Sequence, residues 1–328
     1  MRRSFSFVLM LLVLAVPALL AAQDLTLPMK KDSIKFAVIG DTGTGDKHQL
    51  AVAKQLAATR AKFPFDFVVM VGDNIYGGNT AKDYDRKFAA PYKPLLDSGI
   101  KFYAALGNHD DPSERFYKPF NMNGERYYSF KPADGVRFFA LDSTYMDDKQ
   151  TKWLDDQLKA SGSDWKICFF HHPPYSSGET HGSDETLRTQ LEPIFVKYGV
   201  NVVLTGHEHF YERIKPQKGI AYFITGSSAK LREGNIRATT ELTAKGFDTG
   251  YTFMLVEIAG DDFYYQALTD DGKTVDSGNV HRVGKVEPTP NRSAQPVVAT
   301  SGKDAAKPAP AKPDVKPDPK ADPKTNGK

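Results

Sequence analysis

The run Phe67-Val68-Val69-Met70-Val71-Gly72-Asp73-Asn74-Ile75-Tyr76 joins five consecutive apolar residues to a glycine, a carboxylate and, three residues on, a phenol. The apolar part reads as a buried strand that ends at Gly72. The residues past its end are chemically specific. A carboxylate can bridge two cations through its two oxygens, and a phenolate is a hard anionic donor that suits Fe(III) far better than Zn(II) or Mg(II).

The same ending recurs along the chain. Ile34–Ile39 runs into Gly40-Asp41-Thr42-Gly43, and Ile100–Leu106 into Gly107-Asn108-His109-Asp110. Ile167–Phe170 runs into His171-His172-Pro173-Pro174-Tyr175, and Val200–Leu204 is soon followed by Gly206-His207-Glu208-His209. Each ending has an ordinary explanation when taken alone. Gly-Asp after a strand is a common turn, His-x-His fits a solvent-facing strand, and a single tyrosine fits a packed surface aromatic. Turn chemistry does not account for five such endings in one chain. Carboxyl ends of strands in an α/β sheet share one edge, where crevices form. The donors are too many for one cation and suit two metals that share Asp73.

Between these strands the spacing becomes helical. A helix is expected from about Lys47 to Lys62, with Leu50, Ala53, Leu56 and Ala57 on one face. Others are expected around Ala81–Phe88, Lys149–Lys159 and Asp184–Tyr198. Tyr127–Phe130 and Arg137–Leu141 look like paired strands, and late strands are expected at Ile220–Thr225, Tyr251–Ile258 and Asp262–Leu268. The alternation gives an α/β class, with two stacked mixed β-sheets flanked by helices in one catalytic domain spanning residues 23–285.

The two ends differ from this middle. Met1-Arg2-Arg3, an apolar run from Phe5 to Leu20 and the exit Ala21-Ala22 read as a signal peptide over residues 1–22, hence export to a bacterial periplasm or exterior. A membrane anchor would need ~20 apolar residues, and this run is shorter and contains Pro17. Residues 286–328, rich in Pro, Ala, Lys and Asp, carry too little apolar surface to offset ordering and read as a disordered tail. The formal charge of +3 comes from these ends, because Arg2, Arg3 and the seven Lys against four Asp of residues 301–328 more than account for it. The remainder is slightly acidic, so nucleic-acid binding is not indicated. Cys168, the one cysteine, allows no intrachain disulfide and sits in an apolar strand as a small hydrophobe.

Taken in order, Gly-Asp-x-Gly at 40–43, Gly-Asp-x-x-Tyr at 72–76, Gly-Asn-His-Asp at 107–110, the histidines at 171–172 and Gly-His-x-His at 206–209 resemble the five-block signature of purple acid phosphatases. These belong to the calcineurin-like metallophosphoesterases, and the short, tartrate-resistant type is the nearer match. Most of the wider superfamily has His two residues after the first Asp; here Gly43 stands there and Tyr76 is the extra donor. The resemblance implies an Fe(III) site held by Asp41, Tyr76 and His209, with Asp73 bridging. It implies a second site for divalent Fe, Zn or Mn, held by Asn108, His172 and His207. His172 rather than His171 is chosen by alignment to the Pro turn, and since neighbouring strand residues face opposite ways, only one of the two easily serves. His109 and His181 are implied to contact substrate and protonate the leaving group.

The chemistry expected is hydrolysis of a small phosphate monoester by a water activated between two metals, with direct transfer and no phosphorylated enzyme. No membrane anchor is expected after signal cleavage. A phosphodiesterase or nucleotidase on the same fold is the alternative, because the metal centre alone does not choose the leaving group. A non-catalytic binding protein and a redox role for an iron pair are further readings.

Overall fold

The computed structural model describes residues 25–238 and 240–282; the expected signal peptide and tail lie outside them. Strands Ile34–Ile39 (β1), Phe67–Met70 (β2) and Lys101–Ala104 (β3) lie side by side and parallel. Helix Lys47–Arg60 (α1) connects the first two, and its start is fixed by Asp46, whose carboxylate accepts from the backbone N–H groups of His48 and Gln49. The link to β3 contains the short helix Ala81–Tyr84 (α2), a π turn at Asp85–Ala89 and the helix Lys93–Asp97 (α3). The second half repeats the pattern, with Tyr128–Ala133 (β4), Val136–Ala140 (β5), Asp148–Ala160 (α4), Trp165–Phe169 (β6), Glu185–Tyr198 (α5) and Val202–Thr205 (β7). Six more strands close the domain: Tyr211–Gln217 (β8), Ile220–Thr225 (β9), Thr243–Phe247 (β10), Thr252–Ala259 (β11), Asp262–Thr269 (β12) and Thr274–His281 (β13).

These strands form two mixed sheets, one in the order β13-β12-β11-β1-β2-β3 and the other β10-β8-β9-β7-β6-β5-β4. Alternation explains how they stack. Phe36 and Val38 of β1, with Phe67 and Val69 of β2, face Phe138, Ile167, Phe169 and Leu204 of the other sheet. Phe36 stacks on Phe67 with ring centres 5.2 Å apart and meets Phe138 across the interface edge-on at 5.1 Å. The intervening residues Ala37, Ile39, Val68 and Met70 pack outward under Val52, Ala53 and Leu56 of α1. Cys168 and Val203 pack outward on the second sheet, under Leu154 and Leu158 of α4 and Leu191 and Phe195 of α5. Both faces of each central strand are covered, which is why these strands read as unbroken apolar runs.

The helix face of α1 differs from the expected one. Val52, Ala53 and Leu56 are buried with Gln49 and Thr59, while Leu50 points outward at 49% exposure. Gln49 outcompetes Leu50 for the inner face because its amide is used there, accepting from Gly45 N–H and donating to the carbonyl of Lys87. Strands β8, β10 and β13 and helix α3 were not among the expected elements; β8 (Tyr-Glu-Arg-Ile-Lys-Pro-Gln) and β10 lack a long apolar run. Asp276 of β13 accepts from Tyr211 and Arg213 of β8, tying the two sheets together at this polar position.

Because β1, β2 and β3 are parallel within one sheet, and β6 and β7 within the other, their carboxyl ends gather at one edge of the sandwich. A cavity of about 580 Å³ lies at the opposite strand ends beside Ile34, Val136 and Trp165, and contains none of the expected ligands. Among the described residues no helix is long and apolar enough to cross a membrane.

Candidate metal centre

The loops after β1 and β2 are bound to each other before any side chain is considered. Asp41 N–H donates to Gly72 O at 3.0 Å, Thr42 N–H to Asp73 O at 3.1 Å, and Tyr76 N–H to Gly43 O at 2.9 Å. This approach is so close that a Cβ on Gly43 would lie 1.9 Å from the carbonyl oxygen of Asn74. A histidine side chain cannot occupy position 43 in this backbone. Tyr76 reaches the centre from the opposing loop instead, its hydroxyl 3.2 Å from Asp41 Oδ1.

The third loop closes on the second in the same way. A Cβ on Gly107 would meet Asp73 Oδ1 at 2.2 Å, so glycine is what lets this turn reach the carboxylate. Asp73 Oδ1 accepts from His109 N–H at 3.0 Å, and the His109 ring lies 5.0 Å from that of Tyr76. Asn108 sits exposed between Gly107 and His109 on this turn. Asp110 locks the arrangement by accepting from the backbone of Asn74, Ile75 and Gly107. The motif at 107–110 contains Asp110 but by itself gives that residue no role.

Two clusters of donors result. Asp41, Asp73 and His209 bring ligand atoms within 4.8 Å of one another, as do His171, His172 and His207. His209 Nε2 lies 3.4 Å from Asp41 Oδ1, and His171 Nε2 lies 3.3 Å from Asp73 Oδ1 and 3.2 Å from His207 Nδ1. Asp41 and Asp73 are both fully buried or nearly so. Burial and then the neighbouring Asp73 push the Asp41 carboxyl well above the usual range. Against burial, which would raise it, surrounding groups that include the His109 backbone N–H donating to Oδ1 hold Asp73 low. Burial, reinforced by the adjacent histidines, drives His207 well down; burial and Arg232 do the same to His209. Burial, with Asp73 and Asp41, pushes the Tyr76 phenol well up. Neutral imidazoles with free lone pairs and crowded, desolvated oxygens are the donor set that a cation pair completes, so the residues present fit two metals.

The fourth ending distinguishes its two histidines. Trp165, Ile167 and Phe169 face the other sheet, and His171 continues that parity past the strand end. Its Nδ1 lies 3.0 Å from Val71 O and therefore carries the proton, leaving Nε2 as a bare acceptor aimed at Asp73 and His207. His172 is differently committed. Ser143 Oγ accepts from the backbone N–H groups of His171 and His172, so its own proton goes to His172 Nδ1 at 2.9 Å. That places the ring proton of a neutral His172 on Nε2, which makes this nitrogen a donor. Alignment to the Pro turn selects His172; the structure sets His171 against the shared carboxylate.

His181 comes to the same mouth from the loop after β6, exposed, its ring centre 4.2 Å from that of His207. Lys230 Nζ stands 4.9 Å above the Tyr76 ring, and Arg232 N–H donates to His209 O. Neither cation was singled out from sequence, where they fall in a loop without regular spacing. His48 stacks on Tyr251, and His281 of β13 pairs with Asp262 of β12, both outside the centre.

Two sheets with five ligand-bearing loops at one edge define a metal-dependent phosphoesterase, and the calcineurin-like phosphoesterase family model matches residues 34–211. The chain belongs to that family. Within it, the chain is similar to purple acid phosphatase 17 of Arabidopsis thaliana, 28% identical over 250 residues that cover 65% of this chain and 74% of that protein. It is also similar to tartrate-resistant acid phosphatase type 5 of Homo sapiens, 27% identical over 256 residues, covering 64% of this chain and 78% of that protein. A purple acid phosphatase from yellow lupin (Lupinus luteus) seeds shares the fold, with TM-score 0.65 and 19% identity over 77% of this chain and 54% of that one.

Proposed function

We propose that the protein is an exported acid phosphatase that hydrolyses phosphate monoesters at a centre of Fe(III) and a divalent Fe, Zn or Mn ion. Tyr76 carries this reading: its hydroxyl meets Asp41 in a loop where Gly43 leaves no space for an imidazole. Asp41, Tyr76 and His209 would hold Fe(III), Asp73 would lie between the two ions, and Asn108, His171 and His207 would hold the divalent ion. When bound, the ions supply charge for the phosphoryl oxygens and lower the pKa of water.

The chain's own residues supply the rest. Lys230 stands over the Tyr76 ring and the Arg232 charge acts on His209, and positive charge on this side favours a doubly charged monoester over a singly charged diester. His109 and His181 stand at the open mouth, where they can hold a proton for the departing alcohol. The basic, apolar and small-residue sequence of 1–22 supports export.

The test is turnover of phenyl phosphate beside diphenyl phosphate, with metal content measured on the same sample. Faster turnover of the monoester, abolished by chelation and restored by iron with zinc or manganese, is the expected result. Preference for the diester would replace this reading with a phosphodiesterase, and metal-independent turnover would remove the centre from the chemistry.

A further inference from the structure

Glu208 stands between His207 and His209, yet its side chain belongs to neither cluster. It is fully buried and turned into the loop that carries His181. Oε1 accepts from Gly182 N–H at 2.7 Å and from Ser176 Oγ at 3.4 Å. Oε2 accepts from Asn235 Nδ2 at 3.3 Å and lies 3.9 Å from Arg232 Nη1. The loop is shaped around this carboxylate: a Cβ on Gly178 would fall 2.1 Å from Oε1. Ser176 Oγ accepts from Gly178 N–H, and Glu179 N–H donates to Asn235 O. Thr180 Oγ1 donates to Asn235 Oδ1 at 2.6 Å.

The consequence is a short, stiff connection. The backbone that carries His207 and His209 also carries Glu208, and Glu208 holds the N–H of the residue directly after His181. His181 is itself exposed and stands over the His207 ring. Without the carboxylate, the loop from Ser176 to Ser183 keeps its ends but loses the buried acceptor about which it turns, and an exposed histidine has several rotamers to occupy.

We propose that Glu208 is a positioning residue that fixes His181 relative to the metal ligands, and so sets proton delivery to the leaving oxygen. This rests on the reading of His181 as proton donor under the proposed function. General acid assistance matters most for poor leaving groups, so its loss has a signature that loss of a metal does not.

The experiment compares kcat/KM for glycerol 2-phosphate, an alkyl ester, with that for 2,4-dinitrophenyl phosphate, in the metal-loaded full chain. Wild type, Glu208→Ala, Glu208→Gln, His181→Ala and the double variant are measured, with metal content for each. Glu208→Ala is expected to lose about 10²-fold on the alkyl ester, at least tenfold more than on the dinitrophenyl ester, while holding two metals. Adding it to His181→Ala should cost little more. Glu208→Gln should recover part of the alkyl-ester rate, because its amide oxygen still accepts from Gly182. Gly178→Ala, which intrudes on Glu208 from the loop side, should show the same split and serves if Glu208→Ala does not fold. Equal losses on both esters, loss of metal, or full additivity with His181→Ala would overturn the inference alone. A wild type that cleaves neither ester overturns the phosphomonoesterase reading and this inference with it.

Discussion

Replacing His171 and His172 separately by alanine divides the fourth ligand position between two adjacent residues of the same type. His171 offers Nε2 at 3.3 Å from Asp73 Oδ1 and 3.2 Å from His207 Nδ1, with its tautomer fixed by Val71 O. Removing it deletes a donor and leaves the Val71 carbonyl without its partner in a fully buried site. His172 offers a nitrogen that already bears the proton, because Ser143 occupies Nδ1. Burial and His171 hold it neutral, its pKa lowered to about 3. The His172→Ala variant therefore removes an outer partner, a class of change worth ~10–100-fold in metal affinity or activity. His171→Ala should exceed that range and leave one metal per chain. Metal analysis by mass spectrometry after gel filtration, with kcat/KM on phenyl phosphate, reads both effects. Retention of two metals by His171→Ala, with loss of one by His172→Ala, would refute the tautomer reasoning and return the ligand role to His172.

Gly43→Ala should force the loops after β1 and β2 apart, costing about 1–3 kcal/mol by overpacking and displacing Tyr76 from Asp41; denaturant titration and the visible spectrum of the iron-loaded variant check it. Metal uptake should weaken as pH falls, because the Asp41 carboxyl, raised well above its usual range by burial and Asp73, must lose its proton to serve as a ligand. Competition titrations between pH 5 and pH 8 read this, and a pH-independent affinity would count against it. Chelation should lower Tm by removing a ligand of the native state, worth about 4 kcal/mol at a thousandfold excess over Kd, and added metal should reverse the shift. Asp276→Ala should destabilise by about 1–3 kcal/mol, since Tyr211 and Arg213 lose their shared acceptor between the sheets; an unchanged denaturation midpoint would place the inter-sheet tie elsewhere.

What could be read from sequence tracked the strength of the local pattern. Unbroken apolar runs such as Phe67–Val71 announced the central strands because both of their faces are covered. The glycines after them marked close approaches, which the contacts at Gly43 and Gly107 make concrete. Strands β8, β10 and β13 carried mixed polar sequence, since their burial depends on partners distant in the chain, as Arg213 depends on Asp276. Leu50 misled because hydrophobicity alone could not foresee the two hydrogen bonds that draw Gln49 inward. At the centre, the structure brings the loops that spacing named to one edge, but spacing could not rank adjacent histidines; strand parity and the Ser143 hydroxyl do that, and neither is visible in a motif. Glu208 was passed over for a related reason. A residue between two ligands is read for those ligands, whereas its side chain serves a loop that begins at Ser176, far earlier in the sequence.

The central claim is that Tyr76 belongs to an iron site, and a visible absorption spectrum of protein purified without chelator tests it most directly, wild type beside Tyr76→Phe. A broad visible band in the wild type that disappears in the variant, with iron still bound, is the expected result and identifies a phenolate on Fe(III). A colourless wild type holding two divalent metals would contradict it, leaving a phosphoesterase whose Tyr76 hydroxyl only donates to Asp41.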